Sequence, residues 1–339
     1  MKMYHNAHAP AVPPYTDVKD RHGESYKPNQ LWVEITEAIE KAEKLIYICG
    51  WAVKHDLTLL RTGNNVETLG EQLKRKAASG MISVLVMVWD EALSNEVYPP
   101  GMMGTHDEQT FNYFRTTNVQ CVKAPRSKEH ANAYEKQFVT TTFTHHQKCV
   151  IVDTVGDDSN RRKLVAFQGG VDLTNGRWDT FEHPLYKTLF TEHKDDFYNG
   201  VCPTTTQKIG PREPWNDQHM YVEGKAAYDI LDNFVARWSK LDPNKRNFLY
   251  NITDADFDMD WHNDTEDNWN MQYFRSIDSN SVLFNIDQLQ HVKAKKGNHF
   301  DDSIKKAYIH HIRKAKRFIY IENQYFYGSS YSWKIPRKL

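Results

Sequence analysis

An imidazole, an ammonium and a carboxylate stand close together in residues 143–153, Phe-Thr-His-His-Gln-Lys-Cys-Val-Ile-Val-Asp. His146, Lys148 and Asp153 make an H-x-K-x4-D pattern. The run Cys149-Val150-Ile151-Val152 reads as a short buried strand. Alternate side chains on a strand share a face, so His146 and Lys148 point the same way. An imidazole beside an ammonium suits attack on a phosphate ester, with lysine balancing phosphate charge and histidine acting as nucleophile or proton carrier. Asp153 is placed to orient an imidazole or to hold the loop. The plain alternative is a strand with a surface His-Lys pair, and three residues alone do not separate the two readings.

The elements that must position these groups alternate along the chain. Residues 165–173, Val-Ala-Phe-Gln-Gly-Gly-Val-Asp-Leu, read as a second apolar strand ending in Gly169-Gly170, with Asp172 behind. Paired glycines at a strand end permit close backbone approach to a ligand. Upstream, Leu31, Ile35, Ala38, Ile39 and Ala42 have helical spacing over residues 31–43, followed by a strand over 45–53. A helix over 66–79 closes at Gly80, and an apolar strand over 82–89 leads to Asp90. A helix over 106–115 and a strand over 119–122 follow, then a polar surface loop over 123–137. Beyond the two motif strands, residues 174–219 are aromatic and without periodicity, and so long an irregular segment is usually functional. A helix covers 226–240, and the Asp- and Asn-rich residues 251–270 read as a solvated excursion. The alternation predicts an α/β fold, a mixed sheet with helices on both faces and catalytic groups at strand ends.

Composition adds limits. Of 339 residues, 40% are hydrophobic, enough for a sizeable core. A net charge of −1 gives no global attraction to nucleic acid, so phosphate recognition must be local. Cys49, Cys121, Cys149 and Cys202 are scattered without a C-x-x-C pair, which fits reduced thiols in a cytosolic protein rather than a disulfide framework. No signal peptide or spanning run is visible, which fits a cytoplasmic protein whose association with a membrane would be peripheral.

H-x-K-x4-D, a polar loop and a strand ending in GG-x-D resemble the phospholipase D superfamily. Thr105-His-Asp-Glu, Thr144-His-His-Gln-Lys, Gly210-Pro-Arg-Glu-Pro-Trp, Phe274-Arg-Ser-Ile-Asp and Ile321-Glu-Asn-Gln-Tyr-Phe narrow the resemblance to the plant-type eukaryotic phospholipases D along almost the whole chain. The resemblance implies that His146 attacks phosphorus to give a phosphatidyl-histidine, that Lys148 binds the phosphate and that Asp153 supports the site. It implies a substrate-binding role for Gln272 beside His146, Gly169 and Gly170, and places Asn323 and Gln324 near the site floor. It implies a calcium ion held by Asn6, the Gly50 carbonyl, His183 and Asn216. Asparagine at 6 and 216 departs from the family pattern, and fewer carboxylates weaken a calcium site. Lys293, Lys295, Lys296, Lys305 and Lys306 are candidates for anionic headgroups, or are simply solvated.

An internal echo bears on the mechanism. Residues 39–48, Ile-Glu-Lys-Ala-Glu-Lys-Leu-Ile-Tyr-Ile, return as residues 312–321, Ile-Arg-Lys-Ala-Lys-Arg-Phe-Ile-Tyr-Ile. Each copy reads as a helix end running into a strand, the mark of a duplicated fold. The expected organisation is a first catalytic repeat over 1–225, a connecting region over 226–300 and the start of a second repeat over 301–339. A second H-x-K-x4-D in register would lie beyond Leu339, and none occurs in this sequence. The resemblance implies a phospholipase D that cleaves phosphatidylcholine and related lipids, passing the phosphatidyl group to water or a primary alcohol. The alternatives are a phosphatidate-binding chain without catalysis, and a phosphodiesterase or nuclease whose site is completed by self-association. The absence of a basic stripe argues against nucleic acid as partner.

Overall fold

The computed structural model describes residues 1–9, 17–61, 67–126, 132–156, 161–202, 205–258, 270–290, 292–295 and 298–326. Along the chain run β1 (Lys2–His5), α1 (Leu31–Lys41), β2 (Leu45–Gly50), α2 (Leu69–Ala77), β3 (Ser83–Trp89), α3 (Asp107–Phe114), β4 (Gln120–Ala124) and α4 (Ala133–Thr142). They are followed by β5 (Cys149–Val155), β6 (Arg162–Gly169), β7 (Gln218–Glu223) and α5 (Lys225–Leu241). Then come β8 (Ser276–Asp278), α6 (Ile286–Leu289), β9 (Lys293–Lys295), β10 (Asn298–Asp302) and α7 (Ser303–Lys314).

Seven strands form one mixed sheet in the order β1-β7-β6-β5-β2-β3-β4. β2, β3 and β4 are parallel to one another, and β5 joins β2 antiparallel. The central strands are buried on both faces, which is why they read as unbroken apolar runs. Alternation splits β5 between two cores. Val150 and Val152 face a cluster with Ile35, Ile39 and Leu73 of α1 and α2, while Cys149 and Ile151 face Ile230, Phe234 and Trp238 of α5. The expected helix-covered mixed sheet is thus present, with helices on both faces. α5, assigned from the sequence to a connecting region, completes the second layer.

Several local expectations are corrected. The strand expected over 45–53 stops at Gly50, because the Trp51 and Ala52 N–H groups turn away to donate to Asp172 Oδ1 at 3.0 and 3.1 Å. The polar stretch read as a surface loop over 123–137 instead finishes β4 and starts α4, whose capping box joins Asn132 and Glu135. The first residues give β1 on the sheet edge against β7. The second echo forms a helix, α7, but residues 318–321 form no strand and expose Phe318, Ile319, Tyr320 and Ile321. β2 is a strand because β3 and β5 flank it, and no described strand flanks 318–321. Most of the acidic stretch 251–270 lies outside the described residues.

Candidate active site

The site lies where β5 begins and β2 and β6 end. His146 and Lys148 immediately precede β5. Lys148 is buried, and its Nζ donates to Asp172 Oδ2 at 3.1 Å and to the His146 carbonyl at 3.1 Å. Asp172 is buried too and is oriented from its other oxygen by the two N–H groups following β2. Burial lowers the Lys148 pKa, and the Asp172 carboxylate opposes that shift. His146 meets Trp51 edge to face, with ring centroids 6.3 Å apart, and Trp51 stacks on Trp89. Desolvation first, then the Lys148 ammonium, bring His146 down to about 4. The residue nonetheless keeps an exposed surface, which moderates the desolvation. The imidazole is therefore neutral and nucleophilic at neutral pH.

A second cation completes the charge pattern. The Arg177 guanidinium is buried over the rings of Trp215 at 3.7 Å, Tyr198 at 4.5 Å and Trp51 at 5.7 Å. Its Nη2 lies 4.0 Å from Asp172, and its Nε has no hydrogen-bond partner among the described residues. Asp217 adds a partly buried carboxyl whose pKa burial raises, against the pull of Lys148 and Arg177. An exposed neutral imidazole before two buried cations can bind a phosphate ester and attack it.

The sequence-derived candidates divide. His146 and Lys148 come together as expected. Asp153 sits at the other end of β5, fully buried, and accepts from the backbone N–H groups of Glu43, Lys44 and Leu45 and from Arg162 Nε at 2.7 Å. Of the two roles considered for it, it holds the turn between α1 and β2 and orients no imidazole. Gly169 and Gly170 do lie beside Lys148, but the close approach they permit is to the chain entering β7. A Cβ on Gly169 would stand 2.5 Å from the Gln218 carbonyl oxygen, and one on Gly170 would stand 2.3 Å from Asp217 Oδ1. Gln272 is exposed on the irregular lead-in to β8, with no described contact to His146 or Lys148. Asn323 and Gln324 are exposed near the last described residues.

The calcium candidates do not present a calcium donor set. Asn6 Oδ1 accepts from the Asp217 N–H at 2.6 Å. Asn216 Oδ1 is held by His5 Nε2 at 2.6 Å, and His183 Nδ1 by Asp179 Oδ2 at 2.9 Å. Gly50 ends β2 in register with Val88. None of the four is a carboxylate, and calcium favours six to eight oxygens. Among the headgroup candidates, Lys293 and Lys306 both pair with Asp302. Lys296 and the side chain of Lys295 lie outside the described residues.

Reading the sequence missed Arg177, Trp51 and Trp215 as site components. The available signals were Arg177-Trp178 inside the irregular aromatic segment and the Pro-Arg-Glu-Pro-Trp motif that ends at Trp215.

A family model described as Phospholipase D matches residues 38–338. The chain belongs to the phospholipase D family. It is 41% identical to phospholipase D alpha 3 of Arabidopsis thaliana over 98% of its own length and 42% of that protein's. Phospholipase D alpha 1 of Zea mays is likewise 41% identical, over 98% of this chain and 43% of the relative. The chain thus spans under half the length of the curated relatives it matches. A solved structure titled as a phospholipase D family member, Nuc from Salmonella typhimurium, aligns with a TM-score of 0.32 and 12% identity over 62% of this chain and 88% of that one, a likeness too slight to carry weight. No helix among the described residues is long and apolar enough to cross a membrane.

Proposed function

We propose that this chain carries the nucleophilic half of a phospholipase D that cleaves phosphatidylcholine and other glycerophospholipids at a membrane surface. The observation that supports it best is the buried Lys148–Asp172 pair beneath an exposed neutral His146. The phosphate oxygens lie against Lys148 and Arg177, whose charges offset the negative charge that grows on them as the pentavalent transition state forms. His146 attacks phosphorus, the P–O bond to the headgroup alcohol breaks and a phosphatidyl-histidine remains. Water or a primary alcohol then attacks phosphorus, releasing His146 with phosphatidic acid or a transphosphatidylation product. The departing alcohol needs a proton, and such acid–base help is typically worth about 10²–10⁴-fold in rate. The sequence holds one H-x-K-x4-D, so a second copy of the chain or a further segment supplies that acid.

The test incubates the chain with phosphatidylcholine labelled in its phosphate and quenches in denaturant, with His146→Ala as control. An acid-labile adduct on His146 that accumulates without turnover supports an assembled nucleophilic half. Adduct with turnover supports completion of the site by a second chain. No adduct at any lipid concentration overturns the reading and leaves phosphatidate binding as the surviving role.

A further inference from the structure

On the reverse face of the sheet, directly behind the H-x-K residues, two cysteines lie opposite each other. Cys49 is the penultimate residue of β2 and Cys149 begins β5, and the two are partners in the antiparallel register. Both are buried, and the Cys49 thiol donates to the Gln147 carbonyl at 3.5 Å. Above them lies Arg237 of α5, only 2% exposed, with Nη1 2.9 Å from Cys49 Sγ and 3.0 Å from Gln147 Oε1. Among the described residues its Nε has no partner, and no carboxylate stands within ion-pair distance of it. A buried guanidinium without a counter-ion is strongly disfavoured. The group beside it able to become an anion is the Cys49 thiol. The contact from Cys149 first, and then the Arg237 charge, draw Cys49 below the ordinary thiol range, while Cys149 is held above it. A thiol made more acidic beside one made less acidic is the pairing of an attacking and a resolving cysteine.

We propose that Cys49 and Cys149 form a redox site that closes to a disulfide on reaction with a small peroxide, with Cys49 as the attacking sulfur and Cys149 as the resolving one. Cys49 attacks one peroxide oxygen, the O–O bond breaks and a sulfenic acid forms as the other oxygen leaves and takes a proton to become water. The Cys149 sulfur then attacks the sulfenic sulfur, the S–S bond forms, and the hydroxyl departs with the Cys149 proton as a second water. Two electrons pass from the sulfurs to the peroxide, and a dithiol restores both thiols. Closure removes the ionisable thiol facing Arg237 and ties the end of β2 to the start of β5. It therefore acts on Trp51 and Lys148, the residues that adjoin Cys49 and Cys149 through Gly50 and directly. The chemistry stands apart from lipid cleavage, and its readout does not need activity.

The test treats the full native chain with hydrogen peroxide, quenches free thiols in denaturant and maps the peptides. The expected result is a loss of two hydrogens located to a Cys49–Cys149 link and reversed by dithiothreitol. Buried Cys121, pushed up to about 12 by burial, and exposed Cys202 serve as comparison sites. Cys149→Ser leaves Cys49 as a sulfenic acid that a dimedone probe captures, and Cys49→Ser abolishes that capture. Arg237→Lys, which keeps the charge but not the planar fork, slows linking by about tenfold through a less favoured thiolate. Both thiols remaining unlinked in the folded chain, or dimedone capture persisting in Cys49→Ser, overturns the proposal.

Discussion

Lys148 Nζ lies 3.1 Å from Asp172 Oδ2 with both side chains buried, so the two charges hold each other in place beneath His146. Removing one partner leaves the other uncompensated. Asp172→Ala is expected to cost about 3–5 kcal/mol of stability. Adding Lys148→Met to that variant should return part of the loss, because the stranded ammonium is gone. The remainder belongs to the Trp51 and Ala52 N–H groups that Asp172 accepts. Urea unfolding of the single and double variants measures both. A double variant no more stable than Asp172→Ala would show that the charge pair is not what holds Asp172 there.

The two motif glycines should differ in their tolerance of a methyl group. At Gly170 the nearest atom is the end of the Asp217 side chain, which can rotate away. At Gly169 it is the backbone of Gln218 and His219, each 2.5 Å from the added carbon, which cannot move without opening the β6–β7 pairing. Gly169→Ala is therefore expected to destabilise by about 1–3 kcal/mol, with Gly170→Ala below that. Thermal unfolding ranks the pair.

Asp153 and His146 should separate in their effects. Asp153→Ala removes the acceptor for three backbone N–H groups and the partner of Arg162, and is expected to cost about 3–5 kcal/mol. Labelling per folded molecule should be unchanged, because Asp153 lies about 20 Å along the strand from His146. His146→Ala is expected to leave stability within about 0.5 kcal/mol and to abolish labelling. Denaturation and adduct assays on the two variants give opposite patterns.

Stability should fall on mild acidification. Burial lowers His145 to about 2 and His219 to about 3. Each is neutral in the fold and protonates in the unfolded chain near 6.5, so the unfolded state binds more protons below that value. The stabilisation is full above 6.5 and is lost progressively as the pH drops towards the folded values. At pH 5 each histidine costs about 2 kcal/mol relative to neutral pH. Urea midpoints at pH 7.5 and 5, compared with those of His145→Gln, should show a shallower pH dependence in the variant.

The sheet was legible where burial is two-sided. β2, β3, β5 and β6 stand out as apolar runs because both faces meet a core. β1 was not legible, since an edge strand of four residues with three exposed ones reads as loop. The helix α4 announced itself only by Asn132 and Glu135 in capping-box spacing, without an apolar stripe to support it. His146 and Lys148 were legible as a pair because they are two residues apart. Arg177 and Trp215 are brought over Trp51 only by the folded irregular segment, and no local spacing encodes that. The role of Asp153 was invisible for a related reason: its backbone partners lie about 110 residues away in sequence, at the start of the neighbouring strand.

The placement of Asp153 makes the H-x-K-x4-D spacing a ruler. One end is pinned to the turn before β2 and the other carries His146 and Lys148 to the site, so the motif gauges most of the length of β5. Inserting or deleting a single residue within it cannot be absorbed by sliding. The pleat would turn Lys148 to the opposite face or pull Asp153 out of its turn. The interval between lysine and aspartate is therefore set by the width of the sheet rather than by the reaction.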